Sequence, residues 1–113
     1  MCSQTVLNTV TNHVVVAAKD LLGEKLDKVI LYGSYARGDN NAESDIDIMV
    51  IADVEISEMK DIESKLWHIG WELGYEHDVV VAIFLKDCAT FNKFLSAEPF
   101  YQNVLKDGVM LSA

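Results

Sequence analysis

Two aspartates at 45 and 47 open an apolar run, Ile46 to Ile51, and ten residues separate them from a Gly33-Ser34 step. That step in turn follows the apolar run Val29-Ile30-Leu31-Tyr32. Apolar runs of this length and β-branched content read as strands. On a strand, carboxylates at i and i+2 point to one face, so Asp45 and Asp47 project together while Ile46, Ile48 and Val50 take the other. Two like charges at that separation repel unless a cation sits between them. A turn of small residues beside them is where phosphate oxygens can lie against backbone N–H groups. Strand, small turn and paired acids together describe a site for a metal-bound triphosphate.

The rest of the chain supplies a frame for that site. Val6, Val10, Val14, Ala17 and Leu21 recur at helical spacing and predict a helix over 5–22, stopped by Gly23. The first strand is expected at 28–32, a short helix at 34–37, a turn at 38–41 and the second strand at 45–51. Met59, Ile62, Leu66, Ile69 and Leu73 form one apolar stripe and predict a helix over 58–73, with Ser57 as N-cap and Gly74 as its end. A third strand is expected at 78–85, a helix at 90–95, another from Pro99 to before Gly108, and a closing strand at 109–111. This order predicts an α/β fold, a small mixed β-sheet flanked by helices. The continuous apolar runs at 46–51 and 79–85 predict central strands covered on both faces.

At 113 residues the chain is read as one domain, 1–113. Half its residues are hydrophobic, with one Pro and six Gly, which excludes a disordered chain. No apolar run approaches the ~20 residues of a membrane helix. The first residues, Met1-Cys2-Ser3-Gln4-Thr5, lack the basic start and apolar stretch of a signal peptide. Cys2 and Cys88 fit neither a disulfide framework nor a zinc site, so a cytoplasmic location is expected. The net charge is −9, with nine basic residues against 18 acids and no basic cluster. Binding of long nucleic acid needs cations to displace counterions, so direct binding of that kind is not expected. A small anion carrying its own Mg²⁺ meets no such objection.

A third acid, Asp78, stands before Val79-Val80-Val81. If the second and third strands are neighbours, Asp45, Asp47 and Asp78 converge at one sheet edge. Hard oxygen ligands in that number suit Mg²⁺ or Mn²⁺. Two ions about 3.5–4 Å apart would then activate an attacking hydroxyl and stabilise leaving pyrophosphate. The plainer alternative is that acids at strand starts are turn or cap residues.

The spacing Gly33-Ser34-Tyr35-Ala36-Arg37-Gly38, then Ser44-Asp45-Ile46-Asp47, resembles the signature of the nucleotidyltransferase superfamily that includes DNA polymerase beta. The short length is similar to the minimal nucleotidyltransferase (MNT) branch, and the segment from Phe100 to Leu111 is similar to its closing segment. The resemblance implies a polymerase beta-like nucleotidyltransferase fold. It implies that Asp45, Asp47 and Asp78 are catalytic metal ligands, with Asp78 near the attacking hydroxyl. It also implies that Gly33 lets the backbone approach a triphosphate and that Ser34 contacts its β- or γ-phosphate. Arg37 has two open roles, a phosphate or partner contact and a surface ion pair with Asp39 or Glu43.

The activity so implied moves a nucleoside monophosphate, AMP from ATP, to an acceptor hydroxyl with Mg²⁺ as cofactor. In the MNT branch the pattern is a toxin–antitoxin pair. The resemblance implies an antitoxin that adenylylates a tyrosine of a HEPN ribonuclease toxin. Two alternatives stay open, a binding module that neutralises by contact and the catalytic half of an aminoglycoside-type transferase. The oligomeric state is not fixed by the sequence. His13, His68 and His77 lack metal-ligand spacing and are read as structural. Trp67 and Trp71 are read as widening the buried face of their helix, or as a partner surface if exposed. Cys88 is read as an ordinary buried thiol.

Overall fold

The computed structural model describes residues 3–112. Cys2 lies outside them; Cys88 is described and is a free thiol. The chain begins with helix α1 (Gln4–Leu22), where the Ser3 side chain accepts from the Val6 N–H and so satisfies a first-turn donor. Gly23 ends it at φ 55°, as the sequence predicts. The buried face is Leu7, Val10, Val14, Ala18 and Leu22, so the predicted stripe is rotated by about one residue at both ends.

Strand β1 (Leu26–Tyr32) leads into a one-turn helix, α2 (Ser34–Arg37), and then strand β2 (Ile46–Ala52). Helix α3 (Ile56–His77) follows, then strand β3 (Val81–Asp87), helices α4 (Cys88–Leu95) and α5 (Pro99–Asp107), and strand β4 (Val109–Ser112). The sheet order is β3-β2-β1-β4. β1 runs antiparallel to β2 and β4, and β2 runs parallel to β3, so the sheet is mixed as expected.

The even residues of β2 carry the main core. Ile46, Ile48, Val50 and Ala52 meet the buried stripes of α1 and α3, including Leu66 and Leu73. The odd residues Met49 and Ile51 meet Ile30, Phe91 and Val104 in a smaller cluster under α4 and α5. β2 is therefore covered on both faces over its later half. β3 is different: it is an edge strand, and Phe84 on its second face is half exposed.

Helix α3 departs from the sequence expectation at both ends. It starts at Ile56, with Glu55 rather than Ser57 at the cap and Glu58 returning a bond to the Glu55 N–H. It also runs through Gly74 to His77. Gly74 is not a stop signal. A Cβ there would stand 2.5 Å from the Val79 carbonyl oxygen, and one at Gly70 would stand 2.8 Å from that of Val81. Gly70 lets the helix lie directly on the backbone of β3, and Gly74 lets it lie on the connection that leads into β3. Trp67 and Trp71 are 64% exposed, so they belong to a surface and not to the buried face. Among the described residues, no helix is long and apolar enough to cross a membrane.

Candidate active site

The antiparallel register sets Tyr32, the last residue of β1, opposite Asp47 on β2. The bend that leaves β1 therefore lies beside the acids. Gly33 adopts φ 76° and ψ −156°, a conformation essentially reserved for glycine. A Cβ at residue 33 would stand 2.5 Å from Asp47 Oδ2. The carboxylate thus rests against bare backbone. Ser34, half-buried, opens α2 at this bend, and Gly38 closes the turn in the left-handed conformation, donating to the Ser34 carbonyl at 2.9 Å.

Asp45 is exposed just ahead of β2, and Asp47 is half-buried. Burial pushes the Asp47 carboxyl above its ordinary value; the neighbouring Asp45 charge adds to the rise and Arg37 opposes it. Burial, and then Asp47, likewise raise the Tyr32 hydroxyl well above the usual phenol range. The strand pair therefore holds two acids close enough to feel one another, one of them costly to ionise.

Asp78 stands elsewhere than the sequence suggests. Because α3 continues to His77, Asp78 is its C-cap, at φ 54° and ψ 48°, and β3 begins only at Val81. It is the one non-glycine residue of positive φ among the described residues. The parallel register places Ala82, not a carboxylate, beside Asp47. Asp78 borders a hollow of about 290 Å³ with Tyr35, Glu43 and Asp45. Among the described residues, no group of three His, Cys, Asp or Glu stands close enough to hold a metal ion. Asp45, Asp47 and Gly33 are brought together; Asp78 shares a hollow with Asp45 but does not complete a triad. The cap role that acids often play at such positions is the one it has.

Of the two roles open to Arg37, the surface ion pair is present. Its Nε donates to Asp39 Oδ2 at 3.1 Å in an exposed ion pair. It also lines a hollow of about 240 Å³ with Tyr32, Gly33 and Phe100, and its charge reaches Asp47. His77 is the last residue of α3. His68 lies within 2.8 Å of Glu72 on the exposed side of α3.

Tyr32 and the aromatic floor around it were not singled out from the sequence. The Tyr32 ring lies 5.9 Å from that of Phe100, edge to face, and 6.5 Å from that of Phe84. The signal was its place immediately before Gly33, which an antiparallel pairing of β1 and β2 turns toward Asp47.

The donor set fits a hard divalent cation in part. Two aspartates at the start of one strand, Asp45 just ahead of it and Asp47 within it, with the inner one disfavoured as a lone charge, are what carboxylates contribute to a Mg²⁺ or Mn²⁺ site whose other positions go to water and phosphate. A third protein carboxylate is not in place.

A family model described as a nucleotidyltransferase domain matches residues 16–109. A candidate protein adenylyltransferase of Methanocaldococcus jannaschii, MJ0604, is 36% identical over 95 residues, covering 84% of this chain and 87% of the relative. A second from the same organism, MJ0141, is 37% identical over 62 residues, covering 55% of this chain and 61% of its own length. Among solved structures, a chain of a toxin–antitoxin with AMP-PNP superposes with a TM-score of 0.56 at 22% identity, covering 89% of this chain and 72% of that one. A chain of a tri-AMPylated Shewanella oneidensis HEPN toxin in complex with MNT antitoxin gives 0.56 at 23% identity, covering 94% and 71%. These superpositions speak to the fold.

Proposed function

This chain belongs to the nucleotidyltransferase domain family, and from that premise we propose that it transfers AMP from ATP to a tyrosine hydroxyl of a partner protein, a HEPN-domain ribonuclease toxin, and so acts as an antitoxin. The observation that carries the transferase chemistry is the packing of Asp47 against the side-chain-free bend at Gly33. It sets a carboxylate, its neighbour Asp45 and a backbone turn around one point. The protein-adenylyltransferase names of the relatives and the toxin–antitoxin neighbours support the choice of acceptor. A chain of net charge −9 also suits a basic, RNA-cutting partner.

In this reading Asp45 and Asp47 hold Mg²⁺, with Mn²⁺ as a substitute. The bound cation would neutralise phosphate charge and lower the barrier for a hydroxyl attacking phosphorus. Gly33 admits the triphosphate to the bend, and the Ser34 hydroxyl donates to a terminal phosphate oxygen. Arg37, already near Asp47, exchanges its Asp39 pairing for a phosphate oxygen. Asp78, across the hollow from Asp45, faces the acceptor side. No residue serves as a covalent nucleophile; the protein positions the reactants and compensates charge. A cytoplasmic setting follows from the partner.

The test is incubation of the purified chain with labelled ATP, Mg²⁺ and the product of the adjacent gene, with mass spectrometry of the partner. An added mass of AMP on a partner tyrosine is the expected result. Inhibition of the partner without any transfer would reduce the chain to neutralisation by contact. Label appearing only on an added aminoglycoside would change the acceptor class.

A further inference from the structure

Helix α5 turns one face toward the bend at Gly33. Phe100, Asn103 and Asp107 stand at i, i+3 and i+7 on that face and line the hollow of about 240 Å³ that Gly33 and Arg37 also border. Val104 is buried among Ile30, Met49, Ile51 and Phe91, so it anchors the helix and leaves the other three to the hollow. The Phe100 ring is 50% exposed, and edge-to-face contacts with Tyr32 at 5.9 Å and Tyr101 at 5.4 Å hold it in place. Asn103 and Asp107 are exposed, and neither side chain has a hydrogen-bond partner among the described residues. The hollow therefore has two ends of different chemistry. At one, a guanidinium and a backbone without a side chain suit phosphate oxygens. At the other, a flat apolar ring stands with an amide and a carboxylate. A carboxylate repels phosphate and accepts hydrogen bonds only from a donor. A ligand that meets both ends carries phosphates on one side and a flat ring with N–H donors on the other.

We propose that the nucleoside half of ATP sits in this hollow, with adenine stacked on Phe100 and read by Asn103, so that α5 sets the base preference. This rests on the transferase reading above, which brings the triphosphate to Gly33. The Asn103 amide offers its oxygen to the adenine N6 amine and its N–H to N7, the paired contact by which amide side chains recognise adenine. Asp107, one helical turn on, accepts the second hydrogen of N6. Guanine carries a carbonyl oxygen at that position, which a carboxylate repels. Stacking on Phe100 adds affinity without choosing among bases, because every base has a flat face. Selection and affinity thus fall to different residues of one helix. The hollow that Asp45 shares with Asp78 is lined by none of these side chains. Nucleotide and acceptor therefore reach the acids from separate sides.

Calorimetric titration of the full chain with ATP, GTP and inorganic tripolyphosphate, each with Mg²⁺ and without any acceptor protein, tests the seat. ATP should bind about tenfold tighter than GTP. Phe100→Ala should weaken ATP about tenfold and leave tripolyphosphate unchanged. Asn103→Ala, at an exposed position, should remove most of the preference for ATP over GTP. Should circular dichroism show that Phe100→Ala unfolds, Asn103→Ala decides alone. Equal binding of ATP and GTP by the wild type overturns the proposal, as does a preference for ATP that survives Asn103→Ala. An equal loss of tripolyphosphate in folded Phe100→Ala also overturns it, since phosphate and not adenine would then meet the ring. Each of these leaves the transferase reading standing; failure of ATP to bind at all overturns both.

Discussion

Asp47 Oδ2 lies where a side chain at Gly33 would begin, 2.5 Å from the position of that missing Cβ. The bend and the acid are therefore one unit. Gly33→Ala must move either the turn or the carboxylate, and it also places a Cβ at φ 76° and ψ −156°, which costs about 1–3 kcal/mol on its own. Since ångström displacements of a reacting group cost about a hundredfold, AMP transfer should fall by that order. Melting temperature and transfer rate of Gly33→Ala, measured together, check this; wild-type rates would contradict it.

Asp47→Asn should abolish transfer, by about a hundredfold or more, while stabilising the metal-free fold at neutral pH. The sign follows from the raised carboxyl pKa. The folded state holds the Asp47 proton more tightly than the unfolded state, so ionisation costs stability as pH rises past the ordinary value of 3.8. The melting-temperature advantage of the variant should shrink as pH falls toward that value and vanish below it. Thermal scans from acid to neutral pH, without divalent ions, measure it.

Tyr32→Phe should leave folding at neutral pH unchanged and extend stability into alkali. The Tyr32 hydroxyl is raised by burial and by Asp47, so above the ordinary value of 10.0 the unfolded chain loses this proton first. Stability therefore declines with rising pH from there, and the phenylalanine variant should lack that part of the decline. Denaturant midpoints between neutral and strongly alkaline pH test it.

Asp78→Asn should reduce transfer by far less than Asp47→Asn, and the loss should appear in KM for the acceptor more than for ATP. The reason is placement: Asp78 caps α3 and borders the Asp45 hollow, whereas Ala82 is the β3 neighbour of Asp47. Equal losses in the two variants would show that the three acids act as one set.

The amino-acid order carried most of this architecture. The paired acids, the glycine bend and the β1–β2 runs were legible because strand periodicity and small-residue turns act over a few residues. The mixed sheet followed from element order. What local pattern could not convey was how α3 ends. Gly74 reads as a stop, yet its lack of a side chain serves contact with Val79, and the helix continues to His77. The error passes to Asp78, read as a strand residue and found as a cap. Of the two readings of Trp67 and Trp71, the buried one fails for a related reason. Next to a wide apolar stripe, helical spacing alone does not mark where the buried arc stops, and Gly70 rather than a tryptophan faces the strand.

The contact between Gly74 and the Val79 carbonyl reaches beyond packing. It fixes how far the last turn of α3 overhangs the sheet, and hence how far the Asp78 carboxylate stands from Asp45 and Asp47. Asp47 is anchored by strand pairing; the outlying acid is carried on a helix end. A single added methyl at residue 74 would shift Asp78 while leaving Asp47 in place, so the spacing of these acids can be altered from the helix side alone.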